Sequence, residues 1–187
     1  MTAEAQGAVA VRSGDLLCLV GRFATITADP PWDVGRGPEY ASNGASRPLA
    51  YPTMSVEQIA AMPVAEKSEA DSHLYIWTIN AYIEETYDIA RAWGYEPSTM
   101  LYWLKQPHGI GLGGTFCQCV EPILFCRRGR LAAKRRWDRN WWGWPRGRHS
   151  QKPEEFQTVV ESVSPGPYLE LFARRKRAGW TTWGNEA

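Results

Sequence analysis

The sequence predicts a single α/β domain with a mostly parallel β-sheet and helices on both faces. Segments of strand length alternate along the chain with amphipathic segments of helix length. Most of the strand segments are apolar throughout, which is typical of strands whose two faces are both covered. At 187 residues the chain suits one domain, 1–187, and its 44% hydrophobic residues exclude an intrinsically disordered protein.

The first strand is predicted at 22–28, where β-branched residues alternate with small ones. It ends at the Asp-Pro-Pro-Trp sequence of 29–32, because two prolines prevent both strand pairing and helix propagation. The segment 1–20 is weakly patterned. The segment 33–52 is rich in Gly, Pro, Ser and Asn, which predicts a flexible loop.

Three helices are predicted from their end signals. One spans 55–62 and begins at a capping serine, Ser55. The second is capped by Asn80 and ends at Gly94. The third spans 152–163 and carries a proline in its first turn.

The other strands are apolar runs between these helices, predicted at 73–78, 99–104, 121–126, 168–173 and 179–183. The segment 127–148 is predicted to be a second flexible loop. In parallel sheets ligands bind beyond the C-terminal ends of the strands, so a functional site is expected there.

Composition excludes several classes of protein. No apolar run approaches the roughly 20 residues that a membrane span needs, and no basic-then-apolar signal segment is present. We therefore expect a soluble intracellular protein with no membrane partner. The four cysteines and three histidines lack the spacing of a zinc-ligand set, so we expect no metal and reduced, mostly buried thiols.

The net charge of +1 hides a division along the chain. Residues 1–126 carry 7 Lys and Arg against 14 Asp and Glu, a balance of −7. Residues 127–187 carry 14 against 6, a balance of +8. Such asymmetry is typical of a polyanion-binding face.

Much of the positive charge lies in 127–148, which holds nine basic residues, one acid and four tryptophans. Arginines among aromatic residues bind phosphates and stack on unpaired bases, so this segment predicts a nucleic-acid contact. The candidate substrate-binding residues are Arg135, Arg136 and Arg139. The alternative is a solvated loop with a small aromatic cluster packed beneath it.

The Asp-Pro-Pro-Trp sequence combines three useful groups at the end of a strand. Asp29 supplies a carboxylate, the Pro30-Pro31 pair stiffens the backbone and presents carbonyl oxygens, and Trp32 supplies a flat ring. Two aligned acceptors beside an aromatic ring suit a planar base with an exocyclic amino group. The alternative is an ordinary proline turn.

This motif after a buried strand resembles the signature of the amino-methyltransferases that act on adenine N6, and the chain is similar to their MT-A70 branch. The shape of the C-terminal segments most resembles bacterial and phage members. The matching stretches are 23–32, 51–54, 74–77, 92–95, 103–105, 121–129, 149–154, 164–174 and 183–186.

The resemblance implies a Rossmann-like methyltransferase fold with circularly permuted motif order and S-adenosylmethionine as methyl donor, with S-adenosylhomocysteine as product and no metal. Permutation accounts for the lack of a Gly-x-Gly loop after the first strand. Lys152 would meet the methionine carboxylate at a helix start. The other cofactor-binding residues implied are His149, Glu170, Phe172, Arg174, Asn185 and Glu186.

The resemblance also implies the reaction: methyl transfer to adenine N6 in DNA. Asp29, Pro30, Pro31 and Trp32 would form the catalytic turn, with Tyr51 helping to hold the base. The same reaction on RNA and a catalytically silent nucleic-acid-binding subunit are alternatives. A homodimer or a partner subunit stays open, and the expected location is the cytoplasm of a bacterium or phage-infected cell, or the nucleus of a eukaryote.

Overall fold

A computed structural model describes residues 16–33, 52–107, 115–147 and 151–184. The strands in these residues are β1 (Phe23–Ala28), β2 (Ser68–Trp77), β3 (Glu96–Gln106), β4 (Val120–Arg128), β5 (Trp141–Pro145), β6 (Tyr168–Leu171) and β7 (Trp180–Trp183). The helices are α1 (Val56–Ala60), α2 (Val64–Lys67), α3 (Ile83–Ala92) and α4 (Glu154–Val163), and a 3-10 turn at Asn80–Tyr82 precedes α3.

The strands form one sheet in the order β5-β3-β4-β2-β1-β6-β7. β1 is parallel to β2 and β6, β3 to β5, and β6 to β7, whereas β4 is antiparallel to both of its neighbours. The last residues of the six co-oriented strands and the first residues of β4 therefore meet at one edge, called here the site edge. The predicted α/β architecture with a mostly parallel sheet is confirmed.

Each face of the sheet carries its own apolar layer. On one face, Ile26, Leu74 and Ile76 pack with Ile59 of α1 and Ile89 of α3. On the other face, the side chains that pack with Phe156 and Val160 of α4 are Tyr75, Trp77, Trp103, Ile123, Phe125 and Trp180. Helices thus cover both faces, as the apolar strands predict.

The predicted loop at 127–148 is partly wrong, because β5 lies within it at Trp141–Pro145. Its sequence lacks alternation and ends in proline, so no local pattern marks it as a strand. It forms by parallel pairing with β3, from Tyr102 opposite Trp141 to Gln106 opposite Pro145. An edge strand tolerates proline because only one side of it needs hydrogen bonds. The other predicted loop lies, over 34–51, outside the described residues.

The helix ends follow two of the four predicted signals. Ser55 caps α1 through a reciprocal pair of hydrogen bonds with Gln58, at 3.2 Å and 2.8 Å. Gly94, with φ of +80°, ends α3 as predicted. Asn80 does not cap α3, because it opens the 3-10 turn and the helix starts three residues later. Likewise α4 starts at Glu154 instead of 152, since Pro153 takes the N-cap position in extended backbone.

None of the four cysteines forms a disulfide, but the prediction that they are mostly buried is wrong. Cys126 is buried within β4, whereas Cys18 and Cys117 are exposed and Cys119 is half-buried. Cys18, Cys117 and Cys119 lie outside the strands and are not part of either apolar layer. No helix in the described part of the chain is long and apolar enough to cross a membrane.

Candidate active site

The Asp-Pro-Pro-Trp turn leaves β1 at the site edge and is held by backbone hydrogen bonds. The Trp32 N–H donates to the Pro30 carbonyl at 2.9 Å, and the Met54 N–H donates to the Pro31 carbonyl at 3.0 Å. Trp32 and Met54 also form an isolated parallel bridge. These contacts fix the direction in which Asp29 leaves the sheet.

Trp32 is a core residue, which corrects the prediction that its ring offers an open stacking surface. The side chain is 5% exposed. Its ring stacks on Tyr82 with centroids 5.1 Å apart, and its indole N–H donates to the Trp77 carbonyl at 3.1 Å. Tyr82 and Trp77 are distant from Trp32 in sequence. No local pattern therefore shows that the Trp32 ring packs in the core instead of stacking on a substrate.

We expect Trp32→Ala to lower the free energy of unfolding by about 3–5 kcal/mol, because it empties a buried aromatic position. Trp32→Phe keeps most of the ring and loses the hydrogen bond to Trp77, so it should cost less. Urea denaturation measures both variants. Unchanged stability with lost activity would contradict the anchoring role and restore direct contact with substrate.

Four charged side chains form a continuous row along the site edge, called here the charged row: Asp29, Lys152, Glu121 and Lys105. The Lys152 ammonium lies 2.8 Å from Asp29 Oδ1 and 3.3 Å from Glu121 Oε2. The Lys105 ammonium lies 2.5 Å from Glu121 Oε1. Each of the four side chains is only 20–24% exposed, so the pairs are screened less than surface ion pairs.

The charges of this row stabilise one another. Burial alone would raise the pKa of Glu121, but the ammonium groups of Lys152 and Lys105 hold it below its ordinary value. Burial alone would lower the pKa of Lys152, but Asp29 and Glu121 raise it above its ordinary value. Both groups are therefore ionised at neutral pH.

The sequence predicts the methionine carboxylate of the cofactor as the partner of Lys152. It gives no sign that Glu121 and Lys105 belong to the site. Lys152 lies two residues before the first residue of α4, and it pairs with two carboxylates of this chain. Glu121 lies near the start of β4, whereas Lys105 lies near the end of β3. Only the antiparallel pairing of these strands brings both to the site edge, so the missing signal is strand direction.

Glu170 of β6 lies beside this row in a polar environment. Its Oε1 accepts a hydrogen bond from the Gln157 amide at 3.1 Å. Burial raises the pKa of Glu170, and nearby Arg175 opposes that rise. Among the described residues, Glu170 Oε2, Gln157 Oε1 and Thr27 Oγ1 are buried without a hydrogen-bond partner.

The turn after β6 is tightly packed. Phe172 has φ of +62° and contacts Trp183 edge-on, with ring centroids 5.7 Å apart. A Cβ at Gly184 would lie 2.5 Å from the Ala173 carbonyl oxygen, so glycine is required there. Arg174 is exposed. The predicted site residues Tyr51, His149, Asn185 and Glu186 lie outside the described residues.

The described part of the basic segment, 127–147, is anchored to α4, and its predicted contact residues are exposed to solvent. The Lys134 ammonium donates to the Glu161 carbonyl and the Tyr168 hydroxyl, and the Trp137 indole donates to Ser162 Oγ. Arg135, Arg136 and Arg139 are all exposed. Arg139 pairs with Asp138, and Arg135 lies over the ring of Trp137 at 4.3 Å.

Three of the four tryptophans of this segment form the aromatic cluster of the alternative prediction. Trp142 and Trp144 are half-buried and stacked, with centroids 5.6 Å apart, and Trp137 contacts Trp142 edge-on. Trp144 also accepts, through its carbonyl, a hydrogen bond from Trp103. The cluster therefore contacts one of the three exposed arginines, Arg135, through the ring of Trp137. In the described part of the chain, no group of three or more His, Cys, Asp or Glu side chains is placed to hold a metal.

Three relatives show what the chain is similar to. Type II methyltransferase M.MunI of Mycoplasma sp is 28% identical over 183 residues, covering 88% of this chain and 78% of that protein. The N(6)-adenine-specific methyltransferase METTL4 of Homo sapiens is 28% identical, covering 88% of this chain and 37% of that protein. The N(6)-adenosine-methyltransferase MT-A70-like protein of Drosophila melanogaster is 26% identical, covering 91% of this chain and 28% of that protein.

The chain thus spans less than two fifths of the length of these two animal relatives. The sequence model of the MT-A70 family matches residues 23–186, from the first residue of β1 to beyond the end of β7. This range includes β1 to β7, the Asp-Pro-Pro-Trp turn and the whole charged row. The protein therefore belongs to the MT-A70 family.

Proposed function

We propose that this protein transfers the methyl group of S-adenosylmethionine to the N6 amino group of adenine in DNA. The observation that carries the proposal is the Asp29 carboxylate, held at the site edge on a clamped proline turn and ion-paired to Lys152 at 2.8 Å. The preference for DNA is supported by M.MunI, a type II methyltransferase of which the chain covers 78%.

The residues present fit the cofactor. Lys152 offers an ammonium to its carboxylate, and Glu170 Oε2 is a buried acceptor with no partner among the described residues. Beside these two residues, the backbone of Gly184 lies close to that of Ala173 in the turn after β6. S-adenosylmethionine, when bound, supplies a methyl group on a positively charged sulfonium sulfur. The neutral thioether that remains after transfer is a good leaving group.

Asp29 would act by orientation and polarisation. The lone pair of the adenine amino group is delocalised into the ring, which makes it a poor nucleophile. Hydrogen bonds from that group to the Asp29 carboxylate and the Pro30 carbonyl localise the lone pair and direct it at the methyl group. Lys152 occupies Oδ1, and Oδ2 carries no ion pair from the described residues, so Oδ2 is the oxygen assigned to the substrate.

Asp29 does not need to be a strong base in this scheme. The nitrogen becomes acidic only once it is methylated, so its proton leaves late. The Asp29 carboxylate, paired with Lys152 on one oxygen, accepts a hydrogen bond on the other. For a duplex substrate the adenine must first be flipped out of the helix.

The decisive experiment is methylation of defined DNA and RNA oligonucleotides with base-resolved detection. We expect N6-methyladenine in DNA. Modification of RNA alone would overturn the choice of nucleic acid but keep the reaction. A protein that binds nucleic acid but neither binds S-adenosylhomocysteine nor methylates either polymer would be the silent subunit.

Polynucleotide binding should weaken steeply with salt, because the exposed arginines would displace counterions from phosphates. Arg135→Ala or Arg136→Ala should each lower the slope of log affinity against log salt by about 0.7–0.9 for each phosphate that the arginine neutralises. Arg91→Ala on α3 is the control, since Arg91 is exposed on the opposite face of the sheet. Fluorescence anisotropy measures the slopes. Equal slopes in all variants would remove 127–148 from the interface.

A further inference from the structure

Two exposed arginines of the basic segment lie at the end of α4 that is remote from Asp29. Lys152, just before α4, pairs with Asp29 at the site edge at 2.8 Å. The helix then runs away from that edge, because β6, which follows it, returns toward the edge. Its last residue, Val163, accepts a hydrogen bond from the Lys134 N–H at 2.7 Å. Ten residues of α-helix rise about 15 Å, so Lys134 lies roughly that far from Lys152.

Arg135 and Arg136 are held between two anchored residues at this remote end. Lys134, on one side, is bonded to the last residue of α4. Trp137, on the other side, donates its indole N–H to Ser162 Oγ at 3.2 Å, and its ring lies under the Arg135 guanidinium at 4.3 Å. The two arginines are exposed on a backbone that is fixed on both sides. Binding a ligand there therefore costs little ordering of the chain.

The acidic side chains of this region are already paired with other arginines. Asp138 pairs with Arg139 at 3.1 Å, and Glu161 pairs with Arg177 at 2.9 Å. Within the described part of the chain, neither Arg135 nor its neighbour in sequence forms an ion pair. The region thus keeps an excess of positive charge toward solvent, which favours a polyanion as its partner.

We propose that Arg135 and Arg136 bind phosphates of the DNA that flanks the target adenine, as a second contact separate from the site edge. This pair, called here the distal surface, rests on the proposed function for the identity of its partner. Phosphates along one strand follow one another every 3.4 Å of duplex, so about 15 Å corresponds to about four base pairs. Phosphate contacts carry no base information, so the distal surface holds DNA of any flanking sequence.

The chemistry of the distal surface suits nucleic acid better than an acidic protein. A guanidinium group binds a phosphate through two parallel hydrogen bonds, and two adjacent arginines match the regular spacing of phosphates along a strand. The proposed reaction also brings this polymer to the protein. Once the adenine is bound at the site edge, a contact with the flanking DNA forms within the same complex and adds affinity at a high effective concentration.

The test compares a short and a long duplex built around the adenine that base-resolved detection identifies. The short duplex carries about three base pairs on either side of the adenine, too few to reach the distal surface, and the long one carries about twelve. Arg136→Ala should lower kcat/KM for the long duplex by about three- to tenfold and leave kcat/KM for the short duplex unchanged. Arg135→Ala should do the same.

Arg91→Ala is the matched control, because Arg91 is an exposed arginine of α3 on the opposite face of the sheet. It should change kcat/KM for neither duplex. Fluorescence anisotropy without a methyl donor measures the affinity for the same duplexes. The affinity for the long duplex should fall in parallel with kcat/KM, and it should not depend on the sequence of the flanks.

Equal losses on both duplexes would place the two arginines at the target or in the fold and overturn the distal surface. Unchanged values at both lengths would also overturn it and leave an acidic protein as the partner to seek. A wild-type protein that methylates neither duplex would overturn the proposed reaction instead. Anisotropy with a long duplex of any sequence then decides the distal surface alone: weaker binding by Arg136→Ala than by Arg91→Ala supports it, and equal binding overturns it.

Discussion

Replacing Asp29 by asparagine should slow methyl transfer to adenine by about 10²–10⁴-fold, the range typical of a residue that polarises or deprotonates a reacting group. Asparagine keeps the size of the side chain but removes the negative charge and one acceptor oxygen. The amide NH₂ would then face the amino group of the substrate as a donor. Asp29→Ala should abolish transfer.

Cofactor affinity should stay within a few-fold in both variants, because Lys152 keeps its contact with Glu121 at 3.3 Å. Tritiated-methyl incorporation measures the rate, and titration with S-adenosylhomocysteine measures the affinity. Asp88→Asn is the control, since Asp88 is an exposed side chain of α3. Wild-type activity in Asp29→Ala would remove Asp29 from the mechanism.

Replacing Lys152 by methionine should weaken S-adenosylhomocysteine binding by at least about tenfold and lower the methylation rate as well. Removing one member of a desolvated charge pair typically costs about 2–5 kcal/mol, and the partial exposure of this row places the expectation at the lower end. The change also leaves Asp29 and Glu121 without the cation between them. Lys176→Met is the control, because Lys176 is exposed. Lys67→Met is unsuitable for this purpose, because the Lys67 side chain of α2 is buried.

The same variant should change how stability depends on pH. In the wild-type protein the lowered pKa of Glu121 adds stability that is present above its ordinary pKa and is lost as pH falls through the lowered value. Lys152→Met removes a main cause of that lowering, so this contribution should shrink. Urea denaturation between neutral and acid pH measures it. An unchanged pH profile would show that Lys152 and Glu121 are not coupled.

The sequence predicts those parts of the structure that depend on neighbouring residues. β1, the Asp-Pro-Pro-Trp turn that ends it and the Ser55 cap are all local patterns, and each is present. β5 escapes prediction because its pairing with β3 forms it, with no pattern of its own. The assignment of Trp32 as a platform fails for a similar reason, since Tyr82 and Trp77 bury it.

The charged row also depends on residues that are distant in sequence, so only part of it could be predicted. Asp29 and Lys152 carry signals in sequence, one in its motif and the other at a helix start. Glu121 and Lys105 carry none, because their meeting depends on the direction of β4 against β3. The roles assigned to Glu170, Phe172 and Arg174 remain predictions.

The reversed direction of β4 matters for anyone redesigning this protein. Residues 115–119, which lead into β4, end at the site edge, whereas the chain leaves β4 at the far edge, where Gly129 approaches Asp71. Grafting a longer peptide ahead of Val120 would therefore add new surface next to the reacting atoms. The same graft after Arg128 would instead add surface at the opposite end of the sheet, at the start of the basic segment 127–148.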